Sequence, residues 1–180
     1  MADPRRRAEG RRGRGLAILK RTAALAALFL SAAATAGSVS APLAASSSAL
    51  VEREGRLVAE ALRWLGTPYA YGGQSRKGVD CSGFVGAVLE AAGLLAEAPR
   101  RSEAFALLGE EAPGPRRPGD LLLFKRGGRI DHVGIALSSS YFIHAASRGP
   151  RRGVIVSSVE EAYWKRGFAG ARRLKSKGEL

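Results

Sequence analysis

The chain has 180 residues, 46% of them apolar, with 29 Lys and Arg against 16 Asp and Glu for a formal charge of +13, which is enough apolar mass for one domain with a core. A single cysteine excludes an internal disulfide, and with only two histidines there is no zinc-finger spacing. The basicity raises nucleic acid as a partner, but after position 50 the charge is scattered as Arg/Lys pairs with no recognition helix or RNA-binding signature, so it is set aside in favour of an anionic polymer or membrane surface.

The head of the chain reads as an address. Eight basic residues (Arg5, Arg6, Arg7, Arg11, Arg12, Arg14, Lys20 and Arg21) stand against Asp3 and Glu9 and carry +6 of the +13. An apolar run from Thr22 to Leu30 follows, then small residues through Ala36 with an A-x-A site at Ala34-Thr35-Ala36. That is the order of a secretory signal, so residues 1–36 are expected to be a signal peptide, with an uncleaved anchor extended by Gly15 to Leu19 as the alternative. The head has no cysteine for a lipid anchor. Residues 37–50, rich in Ala and Ser, read as a linker before a folded domain at 51–176.

Leu57, Val58, Ala61, Leu62 and Leu65 recur at helical spacing, which predicts an amphipathic helix over Val51 to Leu65, stopped by Gly66-Thr67-Pro68. A polar loop runs through Gly78. Asp80-Cys81-Ser82 precedes an apolar stripe of Phe84, Val85, Val88 and Leu89 ended by Ala92-Gly93, which sets Cys81 in the first turn of a buried helix. Pro99 to Leu108 suggests a short helix and Ala112 to Gly119 a loop. Short apolar segments between turns follow at Leu121–Phe124, His132–Leu137, Tyr141–Ala145 and Val154–Val156. Helices first and antiparallel strands second predict an α+β domain.

A thiol attacks a carbonyl as thiolate, and the free amides and dipole of a helix N-terminus favour that anion, so Cys81 is placed as a nucleophile. The bland alternative is a small buried hydrophobe. If Ser138–Ser140 is a hairpin loop, His132 faces Ala146 and His144 faces Gly134. Both imidazoles then emerge on one sheet face as diagonal neighbours, with Gly134 leaving room between them. This is the arrangement of a base, His132, and its orienter, His144. Asp131 is the weaker orienter because strand neighbours point to opposite faces. The Cys81 amide and the Tyr69 hydroxyl are candidate oxyanion donors. Asp80 and Ser82 are expected as helix-capping or substrate-side groups, and Trp64 and Trp164 as core.

These residues resemble the NlpC family of papain-like cell-wall cysteine peptidases, in particular its Spr (MepS) type of murein endopeptidase, over roughly Val58 to Leu174. The matching segments are Gly66-Thr67-Pro68-Tyr69, Asp80-Cys81-Ser82-Gly83-Phe84-Val85, Pro118-Gly119-Asp120-Leu121, His132-Val133-Gly134-Ile135, Phe142-Ile143-His144-Ala145 and Gly153 to Ser158 with Tyr163-Trp164. Pro99-Arg100-Arg101-Ser102 resembles the family's substrate-side arginine segment, which makes Arg100 and Arg101 candidate substrate-binding residues. The resemblance implies a papain-like NlpC fold and hydrolysis of an amide in peptidoglycan stem peptides without metal or cofactor. The bond expected is the D-alanyl–meso-diaminopimelate cross-bridge, with the γ-D-glutamyl–meso-diaminopimelate bond or non-catalytic wall binding as alternatives. The expected setting is periplasmic or secreted, or inner-membrane anchored but not a lipoprotein. Peptidoglycan is the expected partner of a monomer, with an envelope adaptor or regulatory protease and no nucleic acid.

Overall fold

The computed structural model describes residues 41–174, so the expected signal segment at 1–36 lies outside the described residues. Helix α1 spans Ala41–Leu62. It therefore begins ten residues ahead of the predicted Val51, inside the segment read as linker: alanine, which gave that segment its linker-like composition, is also the best helix former. The chain then turns through Gly66, whose φ of 80° suits glycine. Among the described residues no helix is long and apolar enough to cross a membrane.

A two-residue pair of strands, β1 (Gln74–Ser75) and β2 (Gly78–Val79), sits in the stretch expected to be loop. Helix α2, Cys81–Ala91, starts at the predicted cysteine and ends where Ala92-Gly93 was expected to stop it. A 3-10 helix at Ser102–Leu107 and strand β3 (Glu110–Glu111) lead to the main sheet. Its other strands are β4 (Leu121–Arg126), β5 (Arg129–Ala136), β6 (Tyr141–Ala146), β7 (Gly153–Ser158) and β8 (Phe168–Arg173), with the short helix α3 (Ala162–Gly167) before β8. The order is β3-β8-β4-β5-β6-β7, and every pairing is antiparallel. The α+β expectation holds.

Strand side chains alternate between faces, and this sheet is buried on both. Leu121, Leu123, Val133, Ile135, Ile143 and Ala145 pack with Leu57, Ala61, Phe84, Val85, Val88 and Leu89 of α1 and α2. On the other side, Leu122, Phe124, Ala136 and Phe142 pack with Trp164 and Phe168. Asp120, 2% exposed, holds the sheet to β8 through two bonds from Arg173, at 2.8 and 2.7 Å.

The alternation is broken once in β5. Phe124 pairs with His132 but Lys125 pairs with Ile130, so Asp131 is an extra residue, a β-bulge directly before the candidate base. Bulges re-aim neighbouring side chains and are common beside active sites.

Candidate active site

Asp80 makes the nucleophile's turn. As N-cap of α2 its Oδ1 accepts the Gly83 amide at 2.7 Å and the Ser82 hydroxyl at 2.9 Å, while Oδ2 accepts the Gly72 amide at 2.9 Å. One carboxylate thus caps the helix and pins the loop that carries Tyr69. The loop can come this close because position 83 is glycine: a Cβ there would collide with the carbonyl oxygen of Gly73. The Ser82 oxygen also lies 3.1 Å from the Arg100 carbonyl, which shares the one Ser82 O–H with Asp80. Asp80 and Ser82 are both buried, and their bonds are those of capping groups, though both line the cleft.

Cys81 is half-buried at the first position of α2. Its Sγ lies 3.3 Å from the Ser102 hydroxyl and 3.9 Å from the Asp131 carbonyl, and the Val133 amide bonds to it. The sulfur therefore touches the backbone on both sides of His132. Burial pushes the thiol pKa up, against the lowering expected from the helix N-terminus. Desolvation outweighs the amides, and the capping Asp80 carboxylate adds its own negative charge beside the sulfur.

The imidazoles are neighbours, as the hairpin argument predicted. Ile135 pairs with Ile143 and Ala136 with Phe142, the register that sets His144 opposite Gly134. A Cβ at Gly134 would lie 3.1 Å from His144 Cβ and 2.9 Å from the Ile143 oxygen, too close for a side chain. Across this gap His132 Nε2 and His144 Nδ1 are 3.0 Å apart, and His144 Nε2 is 3.0 Å from the Ser157 hydroxyl.

These contacts allow two tautomer pairs, and a role for His132 as base selects one of them. With Nε2 engaged, Nδ1 would be the nitrogen of His132 to accept a thiol proton. Nε2 must then carry the proton, His144 Nδ1 must accept it, and His144 Nε2–H donates to Ser157. Trp164 covers the pair, stacked on His132 at 5.1 Å and edge-on to His144 at 4.6 Å. Trp164, half-buried, packs on the second core as expected and also roofs the histidines, while Trp64 is buried in the core.

Both histidines are held neutral. Burial lowers His132 well below its ordinary value, helped by His144 and Arg126, and burial lowers His144 to about 3. Below the unfolded value of 6.5 an unfolded chain takes up protons that the folded one refuses, so stability should fall with pH between about 6.5 and 3. For His144 alone the loss at pH 5 is about 2 kcal/mol. Denaturant unfolding at pH 7 and pH 5 should show it, with a smaller difference in His144→Asn. Equal stability at the two pH values would refute buried neutral imidazoles.

Tyr69 is half-buried in the cleft, and its hydroxyl pKa is raised by burial, then by Cys81 and Asp80, so it stays a donor. Arg100 and Arg101 are exposed on the same cleft, Arg100 reaching the Gly72 carbonyl at 3.4 Å and Arg101 pairing with Glu103 at 2.9 Å. The cleft holds about 560 Å³. Sequence reasoning gave no role to Ser102, Ser157 or Arg126. The first two lay within quoted motif segments, but nothing local distinguishes a serine that bonds a sulfur or an imidazole. Among the described residues no three His, Cys, Asp or Glu side chains converge to hold a metal.

A further expectation concerns His144. With alanine there, His132 keeps its strand position but loses the contact that fixes its ring, so kcat/KM should fall about 100-fold rather than vanish. Equal losses for His144→Ala and His132→Ala would mean that His144 is more than an orienter.

A thiol on a helix N-terminus, set against the backbone of an antiparallel strand that carries a paired imidazole, is the element set of papain-like cysteine-hydrolase sites. Residues 66–173 match the NlpC/P60 family model, and the chain belongs to that family. It is 38% identical over 129 residues to the protein named murein DD-endopeptidase MepS/murein LD-carboxypeptidase of Escherichia coli strain K12, covering 71% of this chain and 66% of that protein's length. It is 41% identical over 114 residues to the probable endopeptidase NlpC of the same strain, covering 62% of this chain and 71% of the relative. Among crystal structures, an NlpC/P60 family protein from Bacillus cereus ATCC 10987 superposes with TM-score 0.60 at 27% identity, over 67% of this chain and 39% of that one.

Proposed function

We propose that this protein is a peptidoglycan hydrolase, a cysteine endopeptidase that cleaves an amide of murein stem peptides at the D-alanyl–meso-diaminopimelate cross-bridge. The observation that carries the reading is the bonded run His132, His144 and Ser157, its two imidazole nitrogens 3.0 Å apart, with Cys81 Sγ against the backbone flanking His132. The names of the Escherichia coli relatives support the substrate class.

In this mechanism the Cys81 proton passes to His132 Nδ1 as Sγ forms a bond to the amide carbon. The oxyanion is held by the Cys81 amide, which precedes the helix's own hydrogen bonds, and by the Tyr69 hydroxyl. The C–N bond then breaks as Nδ1–H protonates the departing amine, leaving a thioester. Water, deprotonated by His132, releases the acid and restores the thiol. His144 keeps the ring in place throughout. Arg100 and Arg101 offer charge to substrate carboxylates. Export by the N-terminal signal would bring this machinery to its polymer in the envelope.

The test is digestion of purified peptidoglycan, with fragments identified by chromatography and mass spectrometry. Loss of cross-linked dimers with intact monomeric stems is expected. Shortened stems would move the cut to the γ-D-glutamyl bond, and no product would reduce the protein to a wall-binding module.

A further inference from the structure

Three hollows adjoin Arg126. One is the cleft above Cys81. A second, about 220 Å³, is lined by His132, Phe124 and Trp164, and a third, about 400 Å³, by His132, His144, Ile155, Ser157 and Trp164. Among the described residues Arg126 alone lines all three. Its guanidinium is held in place: Nε donates to Asp131 Oδ2 at 2.6 Å, and Nη1 donates to the Tyr163 hydroxyl at 3.1 Å. A guanidinium has five N–H donors, so three remain to face a ligand, on a side chain 39% exposed. Arg148 and Arg151 line the third hollow with it, against the single carboxylate of Glu161, which accepts the Ser158 amide at 3.0 Å.

His132 returns its proton to the departing nitrogen, so the leaving half of a substrate must lie on the His132 side of the thiol, where the second and third hollows are. We infer that Arg126 is a specificity residue that anchors a free carboxylate on the leaving half, carried by the carbon next to the released amine. The inference rests on the hydrolase reading above and sharpens it. In a D-alanyl cross-bridge to meso-diaminopimelate, the amine set free sits on a carbon with a free carboxylate. At the γ-D-glutamyl bond of a longer stem, the equivalent carboxyl is already tied up as the next amide. A fixed guanidinium on the leaving side therefore selects the cross-bridge. Asp131 and Tyr163 position it, and the bulge places Asp131 beside it.

The experiment compares two synthetic cross-linked peptides, identical except that the carboxylate next to the scissile nitrogen on the leaving half is free in one and a carboxamide in the other. Each is incubated with the full chain and with Arg126→Gln. Wild type should prefer the carboxylate peptide by about 10–100-fold in kcat/KM, the worth of a charge-assisted hydrogen bond. Arg126→Gln should lose that preference, its kcat/KM for the two peptides differing by less than about 3-fold whatever its absolute rate. Unfolding temperature and the rate of Cys81 alkylation by iodoacetamide should be unchanged. A wild type that cleaves both peptides equally would overturn the inference even if the variant failed to fold, and so would a variant that keeps the preference. If wild type cleaves neither peptide nor peptidoglycan, the hydrolase reading itself falls, and the anchor with it.

Discussion

A Cys81→Ala protein is expected to fold normally and to release no fragments from peptidoglycan, a loss of at least about 10⁴-fold. The side chain is small, half-buried and at a helix start, so its removal leaves little cavity, while Asp80 still caps the first turn through Gly83. The only bonding atom removed is the sulfur, and with it the covalent route through a thioester. Binding should survive, which makes the variant a probe for substrate capture by sedimentation with the insoluble polymer. Unchanged turnover in folded Cys81→Ala protein would end the thiol mechanism. Lost binding together with lost turnover would instead mean that the sulfur helps shape the cleft.

His132→Ala is the second large effect, expected at about 10⁴-fold in kcat/KM. Its cause differs from that of the first. Burial raises the thiol pKa and lowers that of the imidazole, so the free protein rests as a neutral thiol beside a neutral base. Transfer of the proton then accompanies attack instead of preceding it. Two consequences separate this from a preformed ion pair. Alkylation of Cys81 in wild type should climb with pH through a transition above the ordinary thiol range, with no plateau extending down to pH 5. In turnover, the acid limb of kcat/KM should lie well below 6.5, because His132 resists protonation. A fast alkylation plateau at pH 5 would show a thiolate–imidazolium pair and refute the neutral resting state.

The elements that were readable in the sequence were those with strong local signals. Helix α2 announced itself by an Asp cap, an apolar stripe and a terminating Ala-Gly, and the structure follows all three. The two histidines could be placed together because the Ser138–Ser140 loop fixes a register, and a period of two does the rest. By contrast, nothing was read for α3 and β8, and Trp164 was placed in the core without its contact with the histidines. An aromatic residue near a chain's end looks the same in sequence whether it is buried or laid over an imidazole, since that depends on where α3 returns to the sheet. Ser102, Ser157 and Arg126 share this difficulty: each gains its role from a partner at least five residues away in the chain. The thiol's electrostatics were misjudged for a related reason. A helix start can be seen in sequence, whereas the desolvation that overrides it comes from packing.

The extra residue at Asp131 makes the site depend on parity. From His132 onward, β5 is locked in phase with β6 by the Ile135 and Ala136 pairs, while Lys125 and Arg126 are locked to Ile130 and Arg129 at the hairpin tip. The unpaired residue is the hinge between two counting frames, one that serves the imidazole and one that serves the guanidinium. Taking it out would change the composition by one surface carboxylate, yet it would force one frame to flip: either Ile130 leaves the core and Arg126 turns away, or the His132 ring changes face and leaves His144. Length variation in this hairpin is therefore compatible with the site in steps of two residues and incompatible in steps of one, a rule that insertion and deletion variants between Arg126 and His132 would obey irrespective of the amino acids used.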